Sequence, residues 1–279
     1  MKIIRSVSEM QEWSSAERSA GNSVGFVPTM GALHEGHAKL FSESFTRNQR
    51  TVVSIFVNSL QFDNASDLEA YPRQIEQDCV IAERENVDVL FVPNHEEMYP
   101  DGFTSIISTG SIAEHMEGLH RPGHFDGVAT IVVKLLNSVA PTVAYFGCKD
   151  FQQLAVIRKV VRDLDMKCEI QSVATVRNEM GLALSSRNSR LSSKNLEHAP
   201  RIFVLLDEIT KMCQNTKMSS RALQEHFTNG IESKTSGTVE YIEIVDSVTL
   251  IPVTTSSAGT TICVAVWFDD VRLIDNVSI

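Results

Sequence analysis

Residues 24–37 of the 279-residue chain read Val-Gly-Phe-Val-Pro-Thr-Met-Gly-Ala-Leu-His-Glu-Gly-His. The apolar run stops at Pro28, a turn contains Gly31, and His34 and His37 stand where an amphipathic segment, residues 38–45, begins. This order predicts a strand, a glycine turn and a helix start. Because a helix start has unpaired N–H groups and the positive end of the helix dipole, it is a suitable place for an anion such as phosphate.

Two other interpretations of this stretch stay open. It is also typical of an ordinary strand-to-helix turn whose two histidines are surface residues. A zinc site is the weaker alternative, because the second histidine follows three residues after the first rather than four and no cysteine lies nearby.

Composition limits the classes of protein. The chain is 43% hydrophobic and carries a net charge of −10, and acidic residues outnumber basic ones in both residues 1–177 and residues 178–279. General affinity for a nucleic-acid backbone is therefore not expected. The five cysteines, at positions 79, 148, 168, 213 and 263, never have C-x-x-C spacing, which favours reduced thiols. With no signal-like start and no apolar run of ~18 residues, we expect a soluble, cytoplasmic protein without membrane partners.

The chain alternates strand-like and helix-like segments, which predicts an α/β fold with a Rossmann-like, doubly wound parallel sheet. Residues 1–177 are expected to form this nucleotide-binding domain, and residues 178–279 a smaller C-terminal α+β domain that acts as a lid. Predicted strands cover 51–57, 87–92, 105–108, 142–147, 168–176, 239–245, 261–268 and 271–275. Predicted helices cover 74–85, 127–139, 151–164, 194–213 and about 219–230.

Polar residues follow several of these strands, where open parallel sheets bind ligands. Asn58 and Gln61 follow the second strand, Arg121 lies on a stiff Pro-Gly loop, and Lys149 precedes Asp150, a candidate N-cap. The alternatives are a turn asparagine and solvated glutamine, arginine and lysine side chains.

A segment rich in small and hydroxyl residues ends in the cation Arg187. Ser185 and Ser186 precede it, and this pattern indicates a mobile loop over phosphates. The alternative is a linker that caps the following helix.

Six motifs, taken together, resemble the pantothenate synthetase (pantoate–β-alanine ligase) family of HxGH nucleotidyltransferases. The resemblance runs from about residue 3 to Asn276, and the ordered set is far more specific than any single motif. The motifs are Phe-Val-Pro-Thr-Met-Gly-Ala-Leu-His-Glu-Gly-His (26–37), Ser-Ile-Phe-Val-Asn-x-Leu-Gln-Phe (54–62), Tyr-Pro-Arg (71–73), His-Arg-Pro-Gly-His-Phe (120–125), Lys-Asp-Phe-Gln-Gln (149–153) and Leu-Ala-Leu-Ser-Ser-Arg-Asn (182–188).

The resemblance implies a two-step reaction. Pantoate attacks the α-phosphate of ATP and releases pyrophosphate, and β-alanine then attacks the pantoyl adenylate to give pantothenate and AMP. It also implies Mg²⁺ bound with ATP, no tightly bound organic cofactor, and a homodimer.

The resemblance further implies roles for particular residues. The implied catalytic residues are His34, His37, Lys149, Ser185, Ser186 and Arg187, with His34 as proton donor. The implied ATP-binding residues are Met30, Gly31, Ala32, Leu33, His34, Glu35, Gly36, His37, Gly147, Cys148, Lys149, Asp150, Val176, Leu184, Ser185, Ser186 and Arg187. The implied pantoate and β-alanine contacts are Gln61, Gln153, Asn58, Tyr71 and Arg121, and Asp78 is the implied magnesium carboxylate.

Three positions depart from the family pattern. Ser59 and Ala174 stand where proline is usual, which affects loop rigidity more than chemistry. Cys148 stands where glutamate is usual, beside Lys149, so the nucleotide loop is expected to be tuned differently or to be sensitive to oxidation.

Three rival functions come from other classes. An adenylyltransferase that makes a dinucleotide cofactor would share the histidine turn, but it has no need of Gln61 and Gln153. A tRNA-charging fragment would need a basic surface. A non-catalytic nucleotide-binding module is the third, if the departures disable turnover.

Overall fold

A computed structural model describes residues 1–214 and 216–279. These residues form two compact units. The first contains Met1–Gly110, Arg121–Cys148 and Val156–Ala174, and the second contains Ser111–His120, Lys149–Ala155 and Thr175–Ile279. Each unit is thus assembled from three separate stretches of chain, and the boundary after Arg177 stays a prediction.

Strands and helices alternate through the first unit, whereas the last three strands of the chain belong to the second unit. The strands are β1 (Lys2–Ile4), β2 (Val24–Thr29), β3 (Arg50–Ile55), β4 (Val89–Phe91), β5 (Val143–Gly147), β6 (Glu169–Val173), β7 (Thr238–Asp246), β8 (Thr260–Phe268) and β9 (Val271–Ser278). The helices are α1 (Val7–Ser19), α2 (Glu35–Arg47), α3 (Ala65–Ala70), α4 (Ile75–Arg84), α5 (His95–Met98), α6 (Met116–His120), α7 (His124–Val139), α8 (Phe151–Asp163), α9 (Ser193–His198), α10 (Arg201–Cys213) and α11 (Ser220–Glu232). Short 3₁₀ turns cover Ser59–Gln61, Gly110–Ala113 and Ser186–Arg190.

The first unit is built on a six-stranded sheet in the order β1-β4-β3-β2-β5-β6. Every neighbouring pair is parallel, as the predicted fold class requires. From β2 the chain first adds β3 on one side and later β5 on the other, so the strand order reverses at β2. The carboxyl end of β2, where Met30 follows, is therefore the switch point at which such sheets bind ligands.

The second unit has an antiparallel sheet in the order β7-β8-β9. Its middle strand, β8, is buried at every position except Trp267. Leu205, Leu206 and Phe227, from α10 and α11, pack in one core with the sheet. Met116 and other residues form a second cluster with it. Because apolar side chains pack against both of its faces, the sequence of β8 is largely a continuous apolar run rather than an alternation of polar and apolar residues.

Two predicted elements are corrected by the structure. Residues 105–108 form no strand, and Ile107 N–H donates instead to the Thr130 hydroxyl on α7 at 2.9 Å. The helix predicted over 194–213 is two helices, α9 and α10, with Pro200 between them. Proline lacks an N–H and is tolerated at the start of a helix but not inside one, so a new helix begins after it. Among the described residues, no helix is both long and apolar enough to span a bilayer.

Candidate active site

Helix α2 begins directly after the turn that follows β2, and its first turn is capped by two histidines. His34 Nδ1 accepts a hydrogen bond from Gly36 N–H at 3.1 Å, and His37 Nδ1 accepts one from His34 N–H at 3.3 Å. The two rings lie 4.1 Å apart between centroids. A neutral imidazole whose Nδ1 accepts must carry its hydrogen on Nε2, so the second nitrogen of each ring is a donor. Donors at a helix start suit phosphate oxygens.

Asp78, on α4, holds the backbone of the same turn. Its side chain is buried, and its two oxygens accept Leu33 N–H at 2.8 Å and Ala32 N–H at 3.1 Å. Gly31 and Ala32 both have left-handed φ angles, +84° and +49°. A Cβ at Gly31 would lie 2.9 Å from Asp78 Oδ2, so glycine is needed there. Because both carboxylate oxygens face backbone amides, this geometry fits support of the turn better than a metal ligand, and the magnesium role stays a prediction.

Asn58 and Gln61 lie together just beyond β3. Asn58 Nδ2 donates to Gln61 Oε1 at 3.0 Å and to Gly127 O at 3.1 Å, and Asn58 Oδ1 accepts from the Tyr99 hydroxyl at 2.6 Å. Gln61 Nε2 lies 3.1 Å from Met30 Sδ in the histidine turn. Because the side-chain amide and carbonyl groups of the buried Asn58 are both hydrogen-bonded, Asn58 holds the side chain of Gln61 in one orientation. Tyr99 is part of this site although sequence reasoning missed it, and burial raises its pKa.

Arg121 meets the backbone of the same turn. Its guanidinium donates to Gln61 O at 3.2 Å and lies 3.4 Å from Asp63 Oδ1. His124 Nδ1 donates to the same Gln61 carbonyl at 2.7 Å. His124 was missed as a site residue, although the motif at 120–125 contains it. Tyr71 is buried, with its ring 5.8 Å from the ring of Phe62.

Three further predicted nucleotide residues of the first unit lie at the ends of a strand and a helix. Gly147 closes β5, and Cys148 N–H donates to Val173 O at 2.8 Å. Glu35 is exposed and pairs with Arg84 at 2.9 Å.

In the second unit, Lys149 stands immediately before α8. Its side chain is only 19% exposed, and its ammonium lies 3.7 Å from Asp150 Oδ1. Asp150 O accepts Leu154 N–H at 3.0 Å, which begins the helix. Gln153, in the first turn, is half-buried.

The hydroxyl-rich segment of the second unit is ordered by its own backbone. Leu184 N–H donates to Val176 O at 2.9 Å, which places these two predicted residues side by side. Ser185 Oγ accepts Arg187 N–H at 3.2 Å and caps the short turn that Ser186 begins. Lys149 and Ser185 line the same small cavity.

The structure thus gathers the predicted residues into a group within each unit. In the first unit most of them lie at or beside the carboxyl ends of β2, β3 and β5, the edge where parallel sheets bind ligands. The fold and this edge define the chain as an α/β protein of the nucleotide-binding type.

A family model described as Pantoate-beta-alanine ligase matches residues 2–278, and the chain belongs to this family. It is 43% identical to the pantothenate synthetase of a Sulfurihydrogenibium species over 99% of both sequences. It is 42% identical to that of Thermotoga petrophila, again over 99% of both.

Solved structures agree with this family assignment. A pantothenate synthetase from Thermus thermophilus has a TM-score of 0.91 and 41% identity, covering 100% of this chain and 99% of that one. The pantoate-β-alanine ligase of Francisella tularensis, solved with β-γ ATP and β-alanine, has a TM-score of 0.83 and 37% identity, covering 100% and 97%.

Proposed function

We propose that this protein joins pantoate and β-alanine to give pantothenate, with conversion of ATP to AMP and pyrophosphate. The observation that carries the proposal is family membership along nearly the whole chain. The Francisella relative, solved with an ATP compound and β-alanine, supports the choice of substrates.

The reaction has two steps. A pantoate carboxylate oxygen bonds to the α-phosphorus of ATP while the bond to the β-phosphate breaks, and pyrophosphate leaves with its electron pair. The β-alanine nitrogen then bonds to the acyl carbon of the pantoyl adenylate, loses a proton, and displaces AMP. Neither step needs a nucleophilic side chain, so catalysis is mainly positioning and stabilisation of developing charge.

His34, His37 and Lys149 are the proposed phosphate contacts. The two imidazoles, held by their Nδ1 atoms, offer Nε2–H donors, and Lys149 offers a point charge. The hydroxyls of Ser185 and Ser186 and the Arg187 cation are proposed to bind the nucleotide. The remaining proposed ATP contacts are Met30, Gly31, Ala32, Leu33, Glu35, Gly36, Gly147, Cys148, Asp150, Val176 and Leu184.

Gln61 and Gln153 are the proposed pantoate contacts, since carboxamides donate to and accept from a hydroxy acid. Asn58 and Arg121 hold the side chain and the carbonyl of Gln61, so they are proposed to act through it. Tyr71 is proposed to contact the same substrate or β-alanine.

Mg²⁺ is proposed to enter with ATP as part of the substrate. Magnesium commonly keeps several waters and binds mainly to phosphates, with only one or two carboxylates. No tightly bound organic cofactor is invoked. A cytoplasmic homodimer is proposed from the family resemblance.

The test is exchange of labelled pyrophosphate into ATP with pantoate as the only acid. We expect exchange that requires pantoate and does not require β-alanine. Complete reactions should give AMP, and ADP plus phosphate as products would contradict the mechanism. Exchange that requires a phosphate-bearing acceptor such as a mononucleotide in place of pantoate would favour a dinucleotide-forming adenylyltransferase. A requirement for tRNA would favour a tRNA-charging enzyme, and ATP binding without exchange would favour a non-catalytic module.

A further inference from the structure

The end of β9 carries two adjacent polar residues, Asp275 and Asn276, that lie outside the sites proposed above. Successive side chains on a strand point to opposite faces of the sheet. In β9 the buried positions alternate, and Asp275 falls on the buried face while Asn276 is half-buried. The two side chains can therefore hold two different segments of chain from one rigid point.

Asp275 holds Arg177. Its two oxygens accept from the two terminal guanidinium nitrogens of Arg177 at 2.5 and 2.9 Å, in a two-point pair. Arg177 also donates to Gly181 O at 3.2 Å and lies over the Phe203 ring at 4.0 Å. A planar guanidinium fixed on both edges and on one face has little freedom.

Arg177 lies at the base of the hairpin that leads into the proposed nucleotide loop. It is bridged to Ala183, and Leu184 N–H donates to Val176 O at 2.9 Å. Residues 184–187 follow at once. A fixed Arg177 therefore fixes the starting point of the Ser185–Arg187 segment.

Asn276 holds the other segment. Its side-chain Nδ2 donates to Lys149 O at 2.9 Å, the backbone carbonyl of the proposed phosphate cation. Lys149, Ser185 and Asp275 line one cavity of about 10 Å³, which has room for about one water molecule. The strand end thus lies beside both segments.

We propose that Asp275 and Asn276 are positioning residues of the nucleotide site. Asn276 sets the position of Lys149, and Asp275, through Arg177, sets the position of residues 184–187, while neither side chain touches a substrate. This role explains a carboxylate on the buried face of a strand, where a charge is costly unless it is paired. The proposal rests on the proposed function, because it assumes that these two segments bind ATP.

The first experiment measures adenylation in a single turnover for Asn276→Ala and Asp275→Asn. We expect a loss of about 10-fold or more in each, since misplacement of a catalytic group by about 1 Å can cost about 10²-fold. Amide formation from supplied pantoyl adenylate and the KM for β-alanine should change by less than about two-fold, because those steps no longer involve the β and γ phosphates. A purely structural role would lower both half-reactions together.

Asp270→Asn is the matched control. Asp270 precedes β9 and pairs with Arg190 at 2.9 Å, but it is 78% exposed. Exposed pairs contribute little, so adenylation should stay within about two-fold of wild type.

The second experiment combines variants. If Asn276 acts only through Lys149, adding Asn276→Ala to Lys149→Ala should deepen the loss by less than about two-fold, because coupled residues are not additive. Multiplied losses would overturn the proposal. If Asp275→Asn does not fold, Arg177→Lys, which keeps the charge but loses the two-point pair, tests the Asp275 half with the same two half-reactions, and an unchanged adenylation rate would overturn that half.

The two proposals fail in different ways. A wild-type protein without pantoate-dependent exchange would overturn the proposed function and this inference with it. If the wild-type protein is active and Asn276→Ala adenylates pantoate at the wild-type rate, only the positioning role is overturned.

Discussion

His34 and His37 each use one ring nitrogen to accept a backbone hydrogen at the start of α2. A doubly protonated imidazolium has no acceptor, so the capped state is the neutral ring with its hydrogen on Nε2. Such a ring can donate a hydrogen bond but carries no full charge. Within the proposed mechanism, the fixed positive charge must then come from other side chains, and Lys149 is the first candidate.

Replacement of Lys149 by alanine tests this division of roles. Charge grows on the phosphate oxygens as pantoate attacks, so the lysine should stabilise the transition state more than bound ATP. We expect adenylation to fall by about 10²–10³-fold, the loss typical of one preorganised donor. Amide formation from supplied pantoyl adenylate should fall much less, and single-turnover quench of the two half-reactions measures both.

Lys159→Ala is the control for Lys149→Ala. It removes a lysine of α8 whose partner, Asp163, lies one helical turn away on a solvated face. Its adenylation rate should match wild type. Equal losses in both half-reactions of Lys149→Ala would show that Lys149 organises the site in general. Near-normal adenylation would show that Lys149 has no catalytic role.

Sequence motifs named the candidate residues but not the bonds that hold them. Asp78 was expected at magnesium, yet its oxygens accept amide hydrogens 45 and 46 residues earlier in the chain. Tyr99 bonds Asn58 across 41 residues. Such contacts depend on which strands become neighbours, and local spacing carries no information about that.

At the scale of elements, α7 packs directly against the turn that carries Gln61. The contact is close because position 127 is glycine, and an added Cβ would overlap the Leu60 carbonyl group and lie 2.8 Å from Gln61 N. The Gly127 carbonyl also accepts from Asn58. Glycine has a lower helix propensity than alanine, but its lack of a side chain allows the helix to approach this turn.

Gly127→Ala should therefore destabilise the protein. Alanine favours the helix by about 1 kcal/mol over glycine. The overlap is with backbone atoms that cannot rotate away, and overpacking of this kind costs about 1–3 kcal/mol. We expect a net fall in the free energy of unfolding, measured by urea denaturation, and weaker pantoate binding because Gln61 is displaced.

Gly147→Ala serves as the control for that substitution. An added Cβ there meets no described atom within 4 Å, so its unfolding curve should lie close to that of wild type. A Gly127→Ala protein as stable as wild type, with unchanged pantoate affinity, would show that α7 and the turn can separate at little cost.

Periodicity predicted the elements that bury a clear apolar face and failed for the others. Helix α1, with only Met10 and Ser14 buried, was not predicted. The segment 105–108 has strand-like residues but no neighbouring strand, since its amide bonds a helix side chain. Pro200, inside a long periodic pattern, divides it into two helices. The hydrophobic pattern of a segment indicates which of its residues are buried. Strand pairing and helix breaks depend instead on the neighbouring elements and residues.

At the scale of the whole molecule, ionisation changes the balance between folded and unfolded chains. Burial raises the pKa of the Cys168 thiol from its usual 9.0 to about 11. Burial also raises the pKa of Tyr99 and of Tyr145. All three groups belong to the first unit and stay uncharged when folded. The net charge, already −10, becomes more negative as pH rises, which adds self-repulsion.

Stability should therefore fall on the alkaline side of pH 9. Below pH 9 Cys168 is protonated in both states and favours neither. Between pH 9 and 11 the thiol ionises in the unfolded chain but largely not in the folded one. Ionisation therefore stabilises the unfolded state, and the free energy of unfolding falls as pH rises. By pH 10.5 this group alone should have removed about 2 kcal/mol, at about 1.4 kcal/mol per pKa unit.

Urea unfolding under a phosphine reductant at pH 8.0, 9.0, 10.0 and 10.5 measures this loss. Cys168→Ser removes the thiol, so its free energy of unfolding should fall less steeply than that of wild type, and the gap between the two curves should shift by about 2 kcal/mol by pH 10.5. Cys213→Ser keeps the Cys168 thiol and should follow the wild-type slope. The remaining slope of Cys168→Ser should come from Cys79 and Cys263, whose pKa values burial also raises, from the buried tyrosines and from charge repulsion. Parallel curves for wild type and Cys168→Ser would show that the thiol is solvated enough in the folded state to ionise normally, and the alkaline loss would then have to come from the other buried thiols, the tyrosines and charge repulsion.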